Sequence, residues 1–285
     1  MLETFRFTLG TFSCMAIQDD ARRYPTAMFL TNLAKDAYEP VLSESGQSSD
    51  EVELPYTCLF IDTGRHRVLV DTGMGAPSGK LLALLRTHGI EPGAIDTVVL
   101  SHGHPDHVGG CLAEAGKPAF FNARYVMLRK EWDYWMSNPN LAELPVPPEF
   151  KHDMLATTLR NLSGVRSQLD LINPETEIVE GINAIAAFGH TPGHMALEIS
   201  SADRQLLFAA DAVVLPLHLQ FPETIGVTDH VPSEVVATRL MLLEKAAQQR
   251  SLISTSHFPF PGLGYAIESG TRWRWRPVEA VKSAA

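Results

Sequence analysis

The stretch that most restricts what this chain can fold into is Val98-Val99-Leu100-Ser101-His102-Gly103-His104-Pro105-Asp106-His107-Val108-Gly109-Gly110. An apolar run of strand character ends in three histidines and an aspartate interleaved with glycine and proline. Imidazole and carboxylate are the ligand types of Zn²⁺ and similar divalent ions, and several this close in sequence converge only if the backbone leaves the strand and turns. His102 and His104 point the same way while the chain is extended, whereas the adjacent Asp106 and His107 need a turn to project separately. Two clusters therefore predict two metal ions. The competing reading, a solvated loop that happens to be rich in histidine, suits any one of these residues better than it suits the whole string.

With 285 residues, 45% of them hydrophobic, the chain can bury a sizeable α/β core. Its net charge of -10, from 23 basic and 33 acidic side chains, argues against a nucleic-acid surface and favours a neutral or weakly charged small molecule as partner. Cys14, Cys58 and Cys111 are odd in number and form no C-x-x-C pair, so neither a disulfide framework nor a thiolate zinc site is expected, and a reducing compartment fits. The start Met1-Leu2-Glu3-Thr4-Phe5-Arg6 lacks the basic and apolar regions of a secretion signal, and no run of 18 apolar residues occurs. A cytoplasmic protein with no membrane partner is the expectation, unless a leader has been trimmed.

Read in order, a single domain spanning 1–285 carries an N-terminal extension over about residues 1–52, strand-like at 4–12 and irregular over 13–52. The extension ends in a polar run, 43–51, expected to be a mobile loop. Met28, Phe29, Leu30 and Leu33 are too apolar for linker and should pack on something, with a homodimer contact as one use. Residues 57–62 and 67–71 read as a hairpin leading into Asp71-Thr72-Gly73, where Asp71 is expected to be a structural carboxylate near the site. Helices are expected over 78–88, 129–136, 149–163 and 232–249 from their apolar spacing. Strands are expected over 95–100, 123–128, 176–188, 195–200, 205–209 and 251–255. Arg272-Trp273-Arg274-Trp275-Arg276 alternates with period 2, as a half-buried edge strand does.

Four places thus carry ligand-type residues just after strand-like runs: His102 to His107, His194, Asp211 and His257. Functional groups of α/β folds collect on loops at one edge of the sheets, so these residues can meet. The string His-x-His-x-Asp-His, the turn Gly189-His190-Thr191-Pro192-Gly193-His194, a late strand-end Asp and a late strand-end His together resemble the metallo-β-lactamase superfamily over roughly residues 55 to 260. The resemblance implies a four-layer αβ/βα sandwich. It implies that His102, His104 and His194 hold one metal, that Asp106, His107 and His257 hold a second, and that Asp211 bridges both. His190 is expected to be structural, since the set is complete without it.

Within the superfamily the ligand set and the tail His257-Phe258-Pro259-Phe260-Pro261-Gly262 look most like methyl parathion hydrolase and its lactonase relatives. Two departures stand out. Ala210 precedes Asp211 where a Gly is usual, and Ala212-Val213-Val214-Leu215 lacks the Tyr that acyl-homoserine lactonases tend to place there. Two divalent ions, zinc the leading candidate, would give hydroxide from a bridging water near neutral pH and polarise a carbonyl or phosphoryl oxygen, with Asp106 and Asp211 steering the proton. A lactone, carboxylic ester or organophosphate triester is the expected substrate, with Trp132, Trp135, Phe221, Phe258 and Phe260 expected as an apolar mouth. A thioester hydrolase of glyoxalase II type and a non-catalytic metal-binding scaffold are the alternatives. The first predicts a basic patch that the sequence does not display.

Overall fold

Alternation within short apolar strands sets the layers. In a computed structural model, which describes residues 3–44, 47–113 and 115–278, two seven-stranded sheets each follow the order of the chain. The first runs β1 (Thr4–Leu9), β2 (Phe12–Pro25), β3 (Glu51–Asp62), β4 (Arg67–Val70), β5 (Thr97–Val99), β6 (Arg124–Leu128) and β7 (Leu169–Ile172). The second runs β8 (Glu177–Val179), β9 (Ile182–Ala186), β10 (Met195–Ser201), β11 (Arg204–Phe208), β12 (Leu252–Ser254), β13 (Leu263–Ser269) and β14 (Arg272–Pro277).

Successive side chains leave opposite faces. Val68, Val70, Val126 and Leu128 enter a core between the sheets with Ile182, Leu197 and Phe208. Leu69, Val98, Tyr125 and Met127 instead join an outer core with Leu81 and Leu85 of α2 (Leu81–Thr87), Trp135 of α4 (Arg129–Met136) and Met154 of α5 (Pro148–Gly164). The outer face of the second sheet packs on Leu242, Leu243 and Ala246 of α6 (Pro232–Gln249). Strands covered on both faces read as apolar runs rather than alternation, as the sequence showed for β5 and β6. The layers are those of the expected sandwich. Parallel pairs lie within each sheet, β4 with β5, β5 with β6 and β6 with β7 in one and β11 with β12 in the other.

Residues 13–52 are not irregular. Strand β2 pairs with β3 from Ser13 opposite Asp62 to Pro25 opposite Glu51, slipping register between Gln18 and Asp20. Its charged half hides it in the sequence, yet Asp19 is buried there, accepting from Met74 N–H (2.8 Å) and Leu81 N–H (2.7 Å). Phe29 and Leu30 pack with Tyr38 and Leu42 of α1 (Lys35–Glu44), with Leu54 and Tyr56 of β3, and with Val214, Leu215 and Leu217 beyond Asp211. These apolar residues, expected as a dimer contact, are covered by their own chain. In the polar run, Ser43 and Glu44 close α1 and Asp50 pairs with Lys35 at 2.6 Å; Ser45 and Gly46, like Met1 and Leu2, lie outside the described residues. The alternating Arg-Trp stretch is an outermost strand, β14, paired with β13, as its period requires. Among the described residues no helix is long and apolar enough to cross a membrane.

Candidate metal centre

The metal loop leaves β5 with its first polar groups already anchored. Ser101 donates from its N–H to Asp71 Oδ1 (2.7 Å) and from its Oγ to Asp71 Oδ2 (2.8 Å), which bears out Asp71 as a structural carboxylate. Pro105 opens the one-turn helix α3 (Pro105–Val108), the position its missing N–H and fixed φ suit, and the turn aims Asp106 and His107 apart from His102 and His104. The closing glycines are dictated by contact, since a Cβ on Gly110 would lie 2.1 Å from the Thr72 carbonyl oxygen.

Among the described residues, three groups of side chains have ligand atoms within 4.8 Å of one another: His102, His104 and His190; His102, His107 and Asp211; Asp106, His107 and His257. Asp211 stands between the outer two. Its Oδ2 lies 3.0 Å from His257 Nε2, 3.3 Å from His190 Nε2 and 4.0 Å from His102 Nε2, and its Oδ1 lies 3.3 Å from His107 Nε2. Asp106 Oδ2 is 3.4 Å from His257 Nε2 and 3.5 Å from His107 Nε2.

What each ring does with its far nitrogen shows what the near one offers. His107 Nδ1 faces Asp71 Oδ2 (2.8 Å), His190 Nδ1 faces Asp229 Oδ1 (2.8 Å) and His257 Nδ1 faces the Pro55 carbonyl (2.9 Å). Oxygens of these kinds only accept, so each Nδ1 carries the proton and each Nε2 has a lone pair directed inward. Lone pairs on nitrogen and carboxylate oxygen facing each other at 3.0–3.5 Å require a cation or protons between them. His107 Nε2 and Asp211 Oδ1 are buried and make no hydrogen bond, although 3.3 Å apart. Divalent ions coordinated by these atoms satisfy both, and the donor set, imidazole and carboxylate without thiolate, is one that suits zinc and its neighbours.

Without metal, protons fill that role. Burial opposes charge on His190, but Asp211 and Asp229 outweigh it and hold its pKa up at about 9. Burial is likewise overcome at His107 and His257, which the Asp211 and Asp106 carboxylates push up, while the same histidines pull Asp211 and Asp106 down. Metal must displace these protons to bind.

A second histidine of the same turn reaches the centre beside the expected ligand His194. His190, read from the sequence as structural, brings Nε2 to 3.0 Å from His104 Nδ1 and joins His102 and His104. His194 is not within that group: its Nε2 accepts from the Asp211 backbone N–H (3.1 Å) and its Nδ1 has no hydrogen-bond partner. The remaining expected ligands, His102, His104, Asp106, His107, Asp211 and His257, all converge.

Several supports were not singled out from the sequence. Buried Glu131 of α4 accepts at Oε1 from Gly103 N–H (2.8 Å) and Trp135 Nε1–H (2.7 Å), and at Oε2 from Thr191 Oγ–H (2.7 Å) and Gly193 N–H (2.9 Å), so one carboxylate ties both histidine loops together. Burial raises its pKa and those four donors work to lower it. Trp135 packs directly on Gly103, where a Cβ would meet the indole at 2.2 Å. Trp135 and Phe258 are therefore core rather than mouth, Phe258 stacking edge-on to Trp275, and Trp132 lies under Arg166. Fully buried Arg239 of α6 donates to the carbonyls of Ala212, Pro222 and Thr224, and His218 donates to the Phe29 carbonyl (3.2 Å), fixing the segment after Asp211.

Facing sheets that deliver imidazole and carboxylate clusters from their strand ends define an α/β sandwich metalloprotein with room for two divalent ions. The model of the metallo-beta-lactamase superfamily matches residues 52–257, and the chain belongs to that superfamily. An N-acyl homoserine lactonase of a Bacillus species is 24% identical over 173 residues, which cover 53% of this chain and 60% of that protein. A lactamase-like protein of Pestalotiopsis microspora is 29% identical over 157 residues, covering 54% of this chain and 37% of that one. Thus the chain spans well under two thirds of the length of the curated relatives it matches. Among solved structures, the dizinc quorum-quenching lactonase AidC superposes with a TM-score of 0.90 at 24% identity, covering 97% of this chain and 98% of the other.

Proposed function

We propose that the protein is a dinuclear metal-dependent hydrolase that opens an acyl-chain lactone. The observation that carries the hydrolase reading is Asp211, whose two oxygens face Nε2 atoms of both histidine groups across gaps that only a cation or a proton fills. When bound, the two ions supply hydroxide near neutral pH and polarise the scissile carbonyl. His102, His104 and His190 would hold one ion and Asp106, His107 and His257 the other, with Asp211 shared between them. Asp106, with 19% of its side chain exposed, would orient the attacking water and take up its proton, with Asp211 as the buried second carboxylate. Zinc is the proposed metal, on the donor chemistry and on the dizinc relative.

The lactone half of the proposal rests on the surroundings and on the relatives' activity. Tyr56, whose ring centroid is 5.5 Å from that of His257, links the centre to the apolar cluster of Phe29, Leu30, Val214 and Leu215, flanked by Phe221. The interior of that cluster is closed, so its partly buried rim, Met74 and Phe221, is what offers an acyl chain apolar contact. Metal-loaded protein should hydrolyse an N-acyl homoserine lactone faster than an aryl ester or a phosphotriester. Preference for either of the others moves the substrate class, and no turnover of any of the three overturns the enzyme reading.

A further inference from the structure

His104 differs from the other histidines in which nitrogen it turns inward. Its Nδ1 lies 3.1 Å from His102 Nε2 and 3.0 Å from His190 Nε2, and its Nε2 faces outward to His230 Nε2 at 3.2 Å. His230 Nδ1 in turn lies 2.7 Å from the Tyr134 hydroxyl of α4. The His230 ring meets Trp135 edge-on at 5.7 Å between centroids, and its backbone N–H donates to the His190 carbonyl (3.0 Å), so the residue is held by both neighbours.

We propose that His230 and Tyr134 are positioning residues that lock His104 in the tautomer whose Nδ1 can ligate the first metal. The proposal rests on the dinuclear reading above. A ligating Nδ1 must be free of its proton, which puts the proton of neutral His104 on Nε2. His104 Nε2–H then donates to His230 Nε2, which is left as an acceptor only if His230 carries its own proton on Nδ1. That Nδ1–H donates to Tyr134 Oη. Every step of this chain has one donor and one acceptor, and Tyr134, whose hydroxyl can take either part, ends it without an unsatisfied proton. Asp229, the residue before His230, holds His190 in the same way through Oδ1, while its Oδ2 accepts from Gly226 N–H (2.7 Å). Adjacent side chains of one turn thereby orient two ligands of one metal, and none of the second.

The test is zinc affinity and stoichiometry by chelator competition on wild type, His230→Ala, His230→Gln and Tyr134→Phe, with folding checked by circular dichroism. Loss of an orienting partner lowers metal affinity by about 10- to 100-fold. His230→Ala should lose that much at one of two sites and leave the other unchanged. His230→Gln, whose amide oxygen can accept from His104, should recover most of it, and Tyr134→Phe should lose less than His230→Ala. Nitrogen-15 NMR of the zinc-loaded wild type should show the His104 proton on Nε2, a reading that needs no variant. A proton on His104 Nδ1, unchanged affinity in His230→Ala, or equal loss at both sites overturns the proposal. Wild type that binds fewer than two zinc ions overturns the dinuclear reading and this proposal with it, whereas two ions with an unaffected His230→Ala overturn this proposal alone.

Discussion

His104 and His190 have every ring nitrogen against protein, one on His230 and the other on Asp229, whereas Asp106 across the centre keeps 19% of its side chain in solvent. The second half has fewer side-chain supports: Asp71 behind His107 and a backbone carbonyl behind His257. The difference separates two jobs. A buried, fully hydrogen-bonded set would fix one ion, and a half-open set would leave the other facing whatever arrives from solvent. Asp211 stands between both, and Glu131 ties the loop of His102 and His104 to the turn of His190.

Breaking the shared residue should therefore have the largest effect. Asp211→Ala is expected to reduce activity by more than about 100-fold, beyond what losing a mere orienting partner costs, and to bring bound metal well below about two per chain, measured by turnover and metal analysis. Next comes Glu131→Ala, which strands four buried donors at about 1–3 kcal/mol each before relaxation. A stability loss of about 3 kcal/mol or more is expected, with a fall in Tm of roughly 6 °C or more, while Glu131→Gln should fall less. His190→Ala should weaken metal binding at the first site more than His194→Ala does, which chelator competition resolves; the reverse order would restore the sequence expectation. The smallest effect is one of pH. His190, at about 9 in the metal-free protein against an ordinary value of 6.5, contributes stability that is complete below 6.5 and lost as pH rises through 9. Metal-free protein should thus lose Tm across that window, whereas zinc-loaded protein should not, because the metal has already replaced the proton.

Much of this centre was legible because ligand spacing is a local property. The string from His102 to His107 displays its strand, its turn and its chemistry within thirteen residues, and the strand-end positions of Asp211 and His257 follow the same rule. Applied strictly, that rule also selects His190, which follows β9, over His194, which directly precedes β10. The sequence does not encode that His190 reaches His102 and His104 while His194 Nε2 meets the Asp211 backbone, since both are long-range contacts. Glu131 was invisible for a similar reason, since a carboxylate among aromatics on a short helix looks like a solvated residue until three of its four donors arrive from Gly103, Thr191 and Gly193 on distant loops. Strand β2 escaped because Asp19, Asp20, Arg22 and Arg23 interrupt its apolar run, and the burial of Asp19 is repaid by backbone amides of a distant turn.

One contact joins the sheets at the centre itself. The Thr57 N–H of β3 donates to the Ser256 carbonyl (2.9 Å) beyond β12, next to the bond from His257 to Pro55. In isotope-exchange terms this amide is a clock for the whole assembly: its deuterium uptake requires the sheets to part where the ligands meet, so its rate counts how often the centre opens and how far metal suppresses that opening, without any substrate being turned over.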